Sequence, residues 1–467
     1  MQVKEILKVT NGKLIYGNEE IECTEFSRDT REIKKGYAYV GIKGESFDGN
    51  DFYKEAIKNG ATICILEKVP KEEVSAAIIV VENTIIALEQ IACYKREQYD
   101  MPVVGITGSV GKTSTKDLIA SVVSEKYNTL KTKENYNNEI GVPFTVLSLK
   151  NEEAMVIEMG MDHYGELRRL TNVVKPTLVG LTNIGASHIV NFGSLENILK
   201  AKLEILEGLK GNTVIINNDN ELLNKWAKEN NEKYNIITYG MREKSDYMPL
   251  DIELKENSSK YKYDGETVEV PVGGEHFVLN SLCAIAVGEY LNMPLEKIIA
   301  GISKFKLSKN RMQIEKGIKG SIIIDDTYNA NYDSMSAGVK YLKSFKNKRK
   351  IAVLGDMLNL GDYSKALHEK IGKEIDCNID YLITVGSESK NIANESTAKE
   401  IFSFNSNKDA INKIESIISQ DDVILVKASH AMNFIEIVEA IKENSCYLWR
   451  NINRTRCINK IRKECNK

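Results

Sequence analysis

The chain has 467 residues, 28% of them charged and 42% hydrophobic, which at roughly 150 residues per domain suggests about three domains. Its 63 basic and 66 acidic side chains leave a net charge of −3, too even a balance for a protein that works on DNA or on an anionic membrane. No run of about 18 apolar residues offers a membrane span, and eight cysteines without a CxxC pair fit reduced thiols better than a disulfide framework or a zinc module. The opening Met1-Gln2-Val3-Lys4-Glu5 has no signal-peptide core behind it, so the expectation is a cytoplasmic, multidomain globular protein.

Residues 1–99 read as a small separate α/β domain. Asp29-Thr30-Arg31 leads through Lys34-Lys35-Gly36 into the strand Tyr37–Ile42, then the glycine turn Lys43–Gly49 and a helix beginning near Asp51. From about residue 100, short Val- and Ile-rich runs alternate with helix-length segments. The runs are Val103–Thr107, Ala154–Ile157, Thr177–Leu181, Val214–Ile216, Ser321–Ile324, Lys350–Leu354, Tyr381–Val385 and Val423–Val426. Such runs read as buried parallel strands of an α/β protein. A central domain over 100–308 and a C-terminal domain over 309–445 follow from this spacing. Between about 241 and 272, alternation of polar and apolar residues (Tyr261, Tyr263, Val268, Val270) predicts antiparallel strands appended to the central domain.

Polar residues stand where each parallel strand should end: Glu158-Met159-Gly160, Asn183-Ile184-Gly185, Asp325-Asp326-Thr327, Gly355-Asp356 and Lys427-Ala428-Ser429. Open α/β sheets bind ligands at the carboxyl ends of their strands, though turn chemistry alone also places polar residues there. Residues 446–467 form a tail with seven Lys or Arg against Glu464 alone. It reads as a solvated basic extension.

The strongest motif is Thr107-Gly108-Ser109-Val110-Gly111-Lys112-Thr113, between a strand and an amphipathic helix. Glycines let backbone N–H groups close on phosphate oxygens, and the helix N-terminus adds positive potential. Lys112 is placed to reach the β- and γ-phosphates and the Thr113 hydroxyl to meet Mg²⁺. Ile106 stands where the full Walker pattern has glycine, making this a TGxxGKT variant. Glu158 is a candidate Mg²⁺ carboxylate that reads equally well as a turn residue. His188 follows a strand end and, alone, reads as structural. Lys202, on an amphipathic helix, reads alone as a solvated lysine.

This loop, followed by Thr132-Lys133-Glu134-Asn135-Tyr136-Asn137-Asn138-Glu139-Ile140-Gly141-Val142-Pro143, resembles the Mur ligase family of ATP-dependent amino-acid-adding enzymes of peptidoglycan synthesis. Glu158-Met159-Gly160, Asn183–His188, Ala201–Ile205 and Gly274-Glu275-His276 with Asn280 extend the resemblance. Arg311-Met312-Gln313, Asp325–Asn331 and Leu354–Leu358 with His368 are similar to the member that adds a dipeptide. The resemblance spans about residues 24 to 440.

It implies three domains: a small α/β domain that binds a UDP-sugar, a central P-loop ATPase domain with a mostly parallel sheet, and a Rossmann-like C-terminal domain. The implied reaction joins D-alanyl-D-alanine to UDP-N-acetylmuramoyl-tripeptide with ATP, two Mg²⁺ ions and an acyl-phosphate intermediate, in a monomer that binds no nucleic acid. The resemblance assigns ATP to Gly108, Ser109, Val110, Gly111, Lys112, Thr113, Ser114, Asn280, Arg311, Asp326 and Asn329. It assigns the metals to Thr113, Glu158, His188 and a carbamylated Lys202, and chemistry to Lys112, Glu158, His188 and Lys202. The UDP-substrate is assigned to Thr30, Arg31, Lys43, Gly44, Asn137 and Asn138, and segments Asn331–Ser334 and Ser429–Met432 are candidates for the dipeptide. It also implies that closure of the C-terminal domain assembles the site. Asn50, Tyr332 and the Lys427–Met432 segment depart from the usual family pattern. A sister ligase adding one amino acid, of the diamino-acid-adding or folylpolyglutamate type, and a non-enzymatic P-loop switch are the alternatives.

Overall fold

The computed structural model describes residues 1–443; the basic tail lies outside the described residues. Three sheets organise the chain. The first comprises β1 (Lys13–Tyr16), β2 (Phe26–Ser27), β3 (Tyr37–Val40), β4 (Ala61–Leu66) and β5 (Ala77–Val80), in the order β1-β5-β4-β3-β2. Only β1 runs antiparallel to its neighbour. The expected helix near Asp51 opens as a 3₁₀ turn over Gly49–Phe52 and continues as an α-helix over Tyr53–Lys58.

The middle sheet is wholly parallel: β6 (Val103–Thr107), β7 (Thr129–Lys131), β8 (Ala154–Glu158), β9 (Leu178–Leu181), β10 (Thr213–Asn217) and β11 (Asn235–Tyr239), ordered β11-β10-β9-β6-β8-β7. Residues of β6, β8, β9 and β10 are all buried, because helices cover both faces of a parallel sheet. The strand order reverses at β6, whose neighbours are β8 and β9. Such a switch point opens a crevice at the carboxyl ends of the strands. The expected antiparallel appendage is present as β12 (Leu250–Leu254), β13 (Ser259–Tyr263) and β14 (Glu266–Val270).

The third sheet comprises β15 (Gln313–Lys316), β16 (Ile322–Asp325), β17 (Lys350–Gly355), β18 (Tyr381–Val385), β19 (Glu400–Phe404) and β20 (Val423–Lys427), ordered β15-β16-β20-β17-β18-β19. Only β15 is antiparallel. The chain thus has the expected three-unit α/β fold. No helix among the described residues is long and apolar enough to cross a membrane.

An ion pair fixes the start of the two central strands of this sheet. Arg349, preceding β17, grips Asp422, preceding β20, through Nε at 2.8 Å and Nη2 at 2.6 Å. Asp422 is 1% exposed and also accepts from the backbone N–H of Ser419. Arg349 is 32% exposed and keeps its bond to the Ile417 carbonyl, so losing Asp422 costs its charge-assisted hydrogen bonds rather than stranding a buried cation. Asp422→Ala is therefore expected to lower the unfolding free energy by about 1.5 kcal/mol, measured by urea denaturation.

Candidate active site

The loop at the switch point is held in shape by its glycines and by side chains of the chain itself. A Cβ at Gly108 would stand 1.9 Å from Thr182 Oγ1, so only glycine fits where the chain leaves β6. Gly111 has φ +78° and caps the helix Lys112–Val123, a left-handed conformation that glycine adopts without strain. Asn183, beyond the end of β9, accepts from the Ser109 and Val110 backbone N–H groups at 3.1 and 2.8 Å. Ser109 Oγ donates to the Gly185 carbonyl and accepts from its N–H. The first N–H groups of the helix have no partner within it, which makes this end a seat for phosphate.

The loop opens onto a cavity of about 500 Å³. Ser109, Val110, Gly111, Lys112, Thr113 and Ser114 line it on the middle unit, with Asn137, Asn138, Glu158, His188 and Asn280. Arg311, Asp326 and Asn329 reach the same cavity from the far side of residue 308, with Asn331, Asp333 and Ser334. Every residue the sequence assigned to ATP is thus gathered here except Gly108, whose carbonyl receives two ammonium groups. Lys112 Nζ donates to it at 2.8 Å and Lys202 Nζ at 3.0 Å.

Glu158 ends β8 opposite Ile106 of β6, and is 1% exposed. Its Oε1 accepts from Asn137 Nδ2 at 2.7 Å, and its backbone N–H donates to Thr132 Oγ1 at 2.9 Å. Oε2 is buried with no partner. A buried carboxylate oxygen without a donor is costly, and its place in the cavity that Thr113 and the phosphate loop also line suits a divalent cation. Among the described residues no group of three or more His, Cys, Asp or Glu converges as a metal cage. A Mg²⁺ ion held by one or two carboxylates and substrate phosphates requires no such cage.

His188 has φ +61° and its Nδ1 lies 2.8 Å from Asp162 Oδ1. The His188 hydrogen bond holds the Asp162 carboxyl below the usual aspartate range, against the opposing effect of burial. Lys202 is 2% exposed rather than solvated. Burial, aided by the nearby Lys112 charge, drives its pKa well below the ordinary lysine value. Burial also lowers that of Lys112, with the Glu158 carboxylate opposing and Arg311 assisting.

On the C-terminal side the Arg311 guanidinium lies over the Tyr328 ring, 3.8 Å from its centroid. Asp326 accepts from the Met312 backbone N–H at 3.1 Å and pairs with Lys427 Nζ at 2.5 Å. Lys427 is 1% exposed and also donates to the Asn329 carbonyl. Thr30, Arg31, Lys43 and Gly44 are in the first unit and line no part of this cavity. Arg31 there pairs with Asp29, and Thr30 Oγ1 donates to Glu55. Of the two asparagines assigned with them, Asn137 lies against Glu158, while Asn138 Oδ1 caps the helix Gly141–Leu147. From the Ser429–Met432 segment no residue lines the cavity. Sequence reasoning gave no role to Asp162, which lines the cavity, while Ser187, Tyr328 and Asp333 line it from within segments that the sequence had named only as whole motifs. Their one signal is that they follow strand ends.

His276, on the first turn of the helix Glu275–Tyr290, also lines the cavity. Burial lowers its pKa to about 4, the Asp326 carboxylate opposing and Lys427 assisting. The unfolded chain therefore binds a proton below pH 6.5 that the folded protein refuses until about pH 4, so stability falls as pH drops through that window. Urea denaturation should show up to about 2 kcal/mol less stability from this group at pH 5 than at pH 7. His276→Gln should lose that increment of pH dependence.

The comparisons with known proteins agree with this geometry. The Mur ligase family catalytic-domain profile matches residues 24–96, the Mur ligase middle domain 106–288, and the Mur ligase glutamate ligase domain 310–430. The UDP-N-acetylmuramoyl-tripeptide–D-alanyl-D-alanine ligase of Bacillus subtilis (strain 168) is 35% identical over 456 residues, 95% of this chain and 98% of that protein. A crystal structure of MurF from Acinetobacter baumannii superposes with TM-score 0.85 at 29% identity, covering 93% of this chain and 97% of that one. The MurF ligase of Thermotoga maritima in complex with ADP gives TM-score 0.81 at 27% identity, covering 93% and 100%. With these profiles matching most of its length and a relative 35% identical over 95% of it, the chain belongs to the Mur ligase family.

Proposed function

We propose that the protein is an ATP-dependent, ADP-forming ligase that joins D-alanyl-D-alanine to UDP-N-acetylmuramoyl-tripeptide in peptidoglycan synthesis. The observation that carries this reading is one cavity lined jointly by a phosphate loop, a buried acidic strand end and Arg311 from the C-terminal unit, in a chain matched over 95% of its length by relatives named for that ligation. It works in the cytoplasm as a single chain, with its units meeting near residues 99 and 308.

A carboxylate does not acylate an amine at neutral pH without activation. The terminal carboxylate of the tripeptide attacks the γ-phosphorus of ATP, breaking the bond to the β-phosphate oxygen and giving an acyl phosphate and ADP. The free amine of the dipeptide then attacks the acyl carbon, and phosphate leaves from the tetrahedral intermediate. The protein contributes positioning and charge neutralisation. Backbone N–H groups of Gly111–Ser114 seat the phosphates, while Lys112 and Arg311 offset the charge on the transferring group. Asn280, Asp326 and Asn329 position the nucleoside.

Glu158 and Thr113 would hold Mg²⁺, and His188, oriented by Asp162, would face a second ion. Mg²⁺ bound there would neutralise phosphate charge. The lowered pKa of the buried Lys202 supports carbamylation, in which a neutral amine adds to carbon dioxide with loss of a proton, and the carbamate would supply a further anionic oxygen. Thr30, Arg31, Lys43 and Gly44 hold the uridine diphosphate in the first unit, with Asn137 and Asn138 towards its sugar.

Phosphate release from ATP with UDP-N-acetylmuramoyl-tripeptide should depend on D-alanyl-D-alanine and yield a product heavier by one dipeptide. Release driven by a single amino acid would place the chain with a sister ligase. Lys112→Ala should cut turnover by about a hundredfold or more with the circular dichroism spectrum unchanged. Glu158→Gln should raise the Mg²⁺ concentration for half-maximal activity about tenfold.

A further inference from the structure

The helix that begins at Lys112 carries two more charged residues, Lys116 and Asp117, which are 1% and 5% exposed and line no part of the cavity. Lys116 Nζ donates to the Thr132 carbonyl at 2.9 Å and pairs with Asp117 Oδ1 at 3.0 Å. Asp117 Oδ1 also takes Lys131 Nζ at 2.6 Å. Burial opposes the Asp117 charge, yet Lys116, Lys131 and Ser308 together hold its pKa below the ordinary aspartate value. Its second oxygen, Oδ2, accepts from Ser308 Oγ at 2.6 Å, 191 residues away. Ser308 is on the linker between the middle and C-terminal units, three residues before Arg311.

The other end of this linker is fastened to the C-terminal unit. Asn310 Nδ2 donates to Thr327 Oγ1 at 3.1 Å, and its carbonyl accepts from the Tyr328 N–H at 3.0 Å. Met312 N–H donates to Asp326. Asn310 and Met312 flank Arg311 with φ +61° and +51°, conformations that non-glycine residues hold only when their surroundings impose them. Arg311 is thus the fourth residue of the five-residue span Ser308–Met312, which is pinned to the phosphate-loop helix at one end and to the C-terminal strand ends at the other.

We propose that Asp117, through Ser308, is a positioning residue that sets Arg311 against the nucleotide, tying the phosphate-loop helix to the linker. The inference rests on the reading of Arg311 as a phosphate-side group in ATP-dependent ligation. A buried carboxylate makes a rigid anchor because its geometry is fixed by the two lysines. The neutral hydroxyl of Ser308 adds a bond to it without further charge. Asp117→Ala is the poorer probe, since it leaves the Lys116 ammonium buried with no counter-charge. Ser308 is half-buried on a linker, and removing its hydroxyl strands only one oxygen of a carboxylate that keeps two lysine partners.

The test is a double-mutant cycle on the full chain, reading kcat, the KM for ATP and the thermal midpoint. Ser308→Ala should lower kcat about tenfold, the scale of one charge-assisted hydrogen bond, with KM for ATP and the thermal midpoint nearly unchanged. Ser308→Thr, which keeps the hydroxyl, should restore kcat. In an Arg311→Ala background, Ser308→Ala should cost nothing more, because residues acting as a unit are not additive. Losses that multiply in the double variant, or wild-type kcat in Ser308→Ala, would overturn the tether. Wild-type kcat in Arg311→Ala alone would instead overturn the reading of Arg311 on which the tether depends.

Discussion

In the middle sheet β6 runs parallel to β8 on one side and β9 on the other, with Ile106 opposite Glu158 and Thr107 opposite Leu181. The three strands therefore end almost level, and whatever follows them must share one crevice. A phosphate loop follows β6, a buried carboxylate closes β8, and the Asn183–His188 segment follows β9. One slip in this register would turn Glu158 to the other face of the sheet. Asn183 is equally bound to it, since its side chain takes two N–H groups of the phosphate loop.

The C-terminal sheet repeats this logic from the opposite side. β16 and β20 are parallel neighbours, so Asp326 and Lys427 meet at their carboxyl ends and form a buried pair. That pair holds Met312 and Asn329, and with them the walls of the cavity around Arg311. Positive groups thus approach the phosphate seat from both units, while Glu158 and Asp162 supply the negative side.

Strands buried on both faces were legible in the sequence because each is an unbroken apolar run. β7, β11, β15 and β19 were not, because each is an edge strand with half-exposed, polar-rich residues. The phosphate loop was legible because its backbone geometry demands glycines at fixed places. The burial of Lys202 was not, since a helix face shows which residues are apolar but not that a lysine points inwards to a loop carbonyl 94 residues away. Each departure from the family pattern has a local role here. Asn50 joins Asp48 to the Glu67 N–H, the Tyr332 hydroxyl donates to Glu374, and in the Lys427–Met432 segment Ser429 Oγ accepts from the Leu358 N–H while the His430 N–H donates to Asn329 Oδ1.

On the proposed reading, ATP activates the tripeptide carboxylate by phosphorylating it. The most direct measurement uses UDP-N-acetylmuramoyl-tripeptide labelled with ¹⁸O in its terminal carboxylate, with unlabelled ATP and D-alanyl-D-alanine, and mass analysis of the phosphate released. If the carboxylate attacks the γ-phosphorus and the acyl carbon is then attacked by the amine, each phosphate carries one ¹⁸O atom. Unlabelled phosphate, formed at the same rate as the dipeptide adduct, would contradict the account.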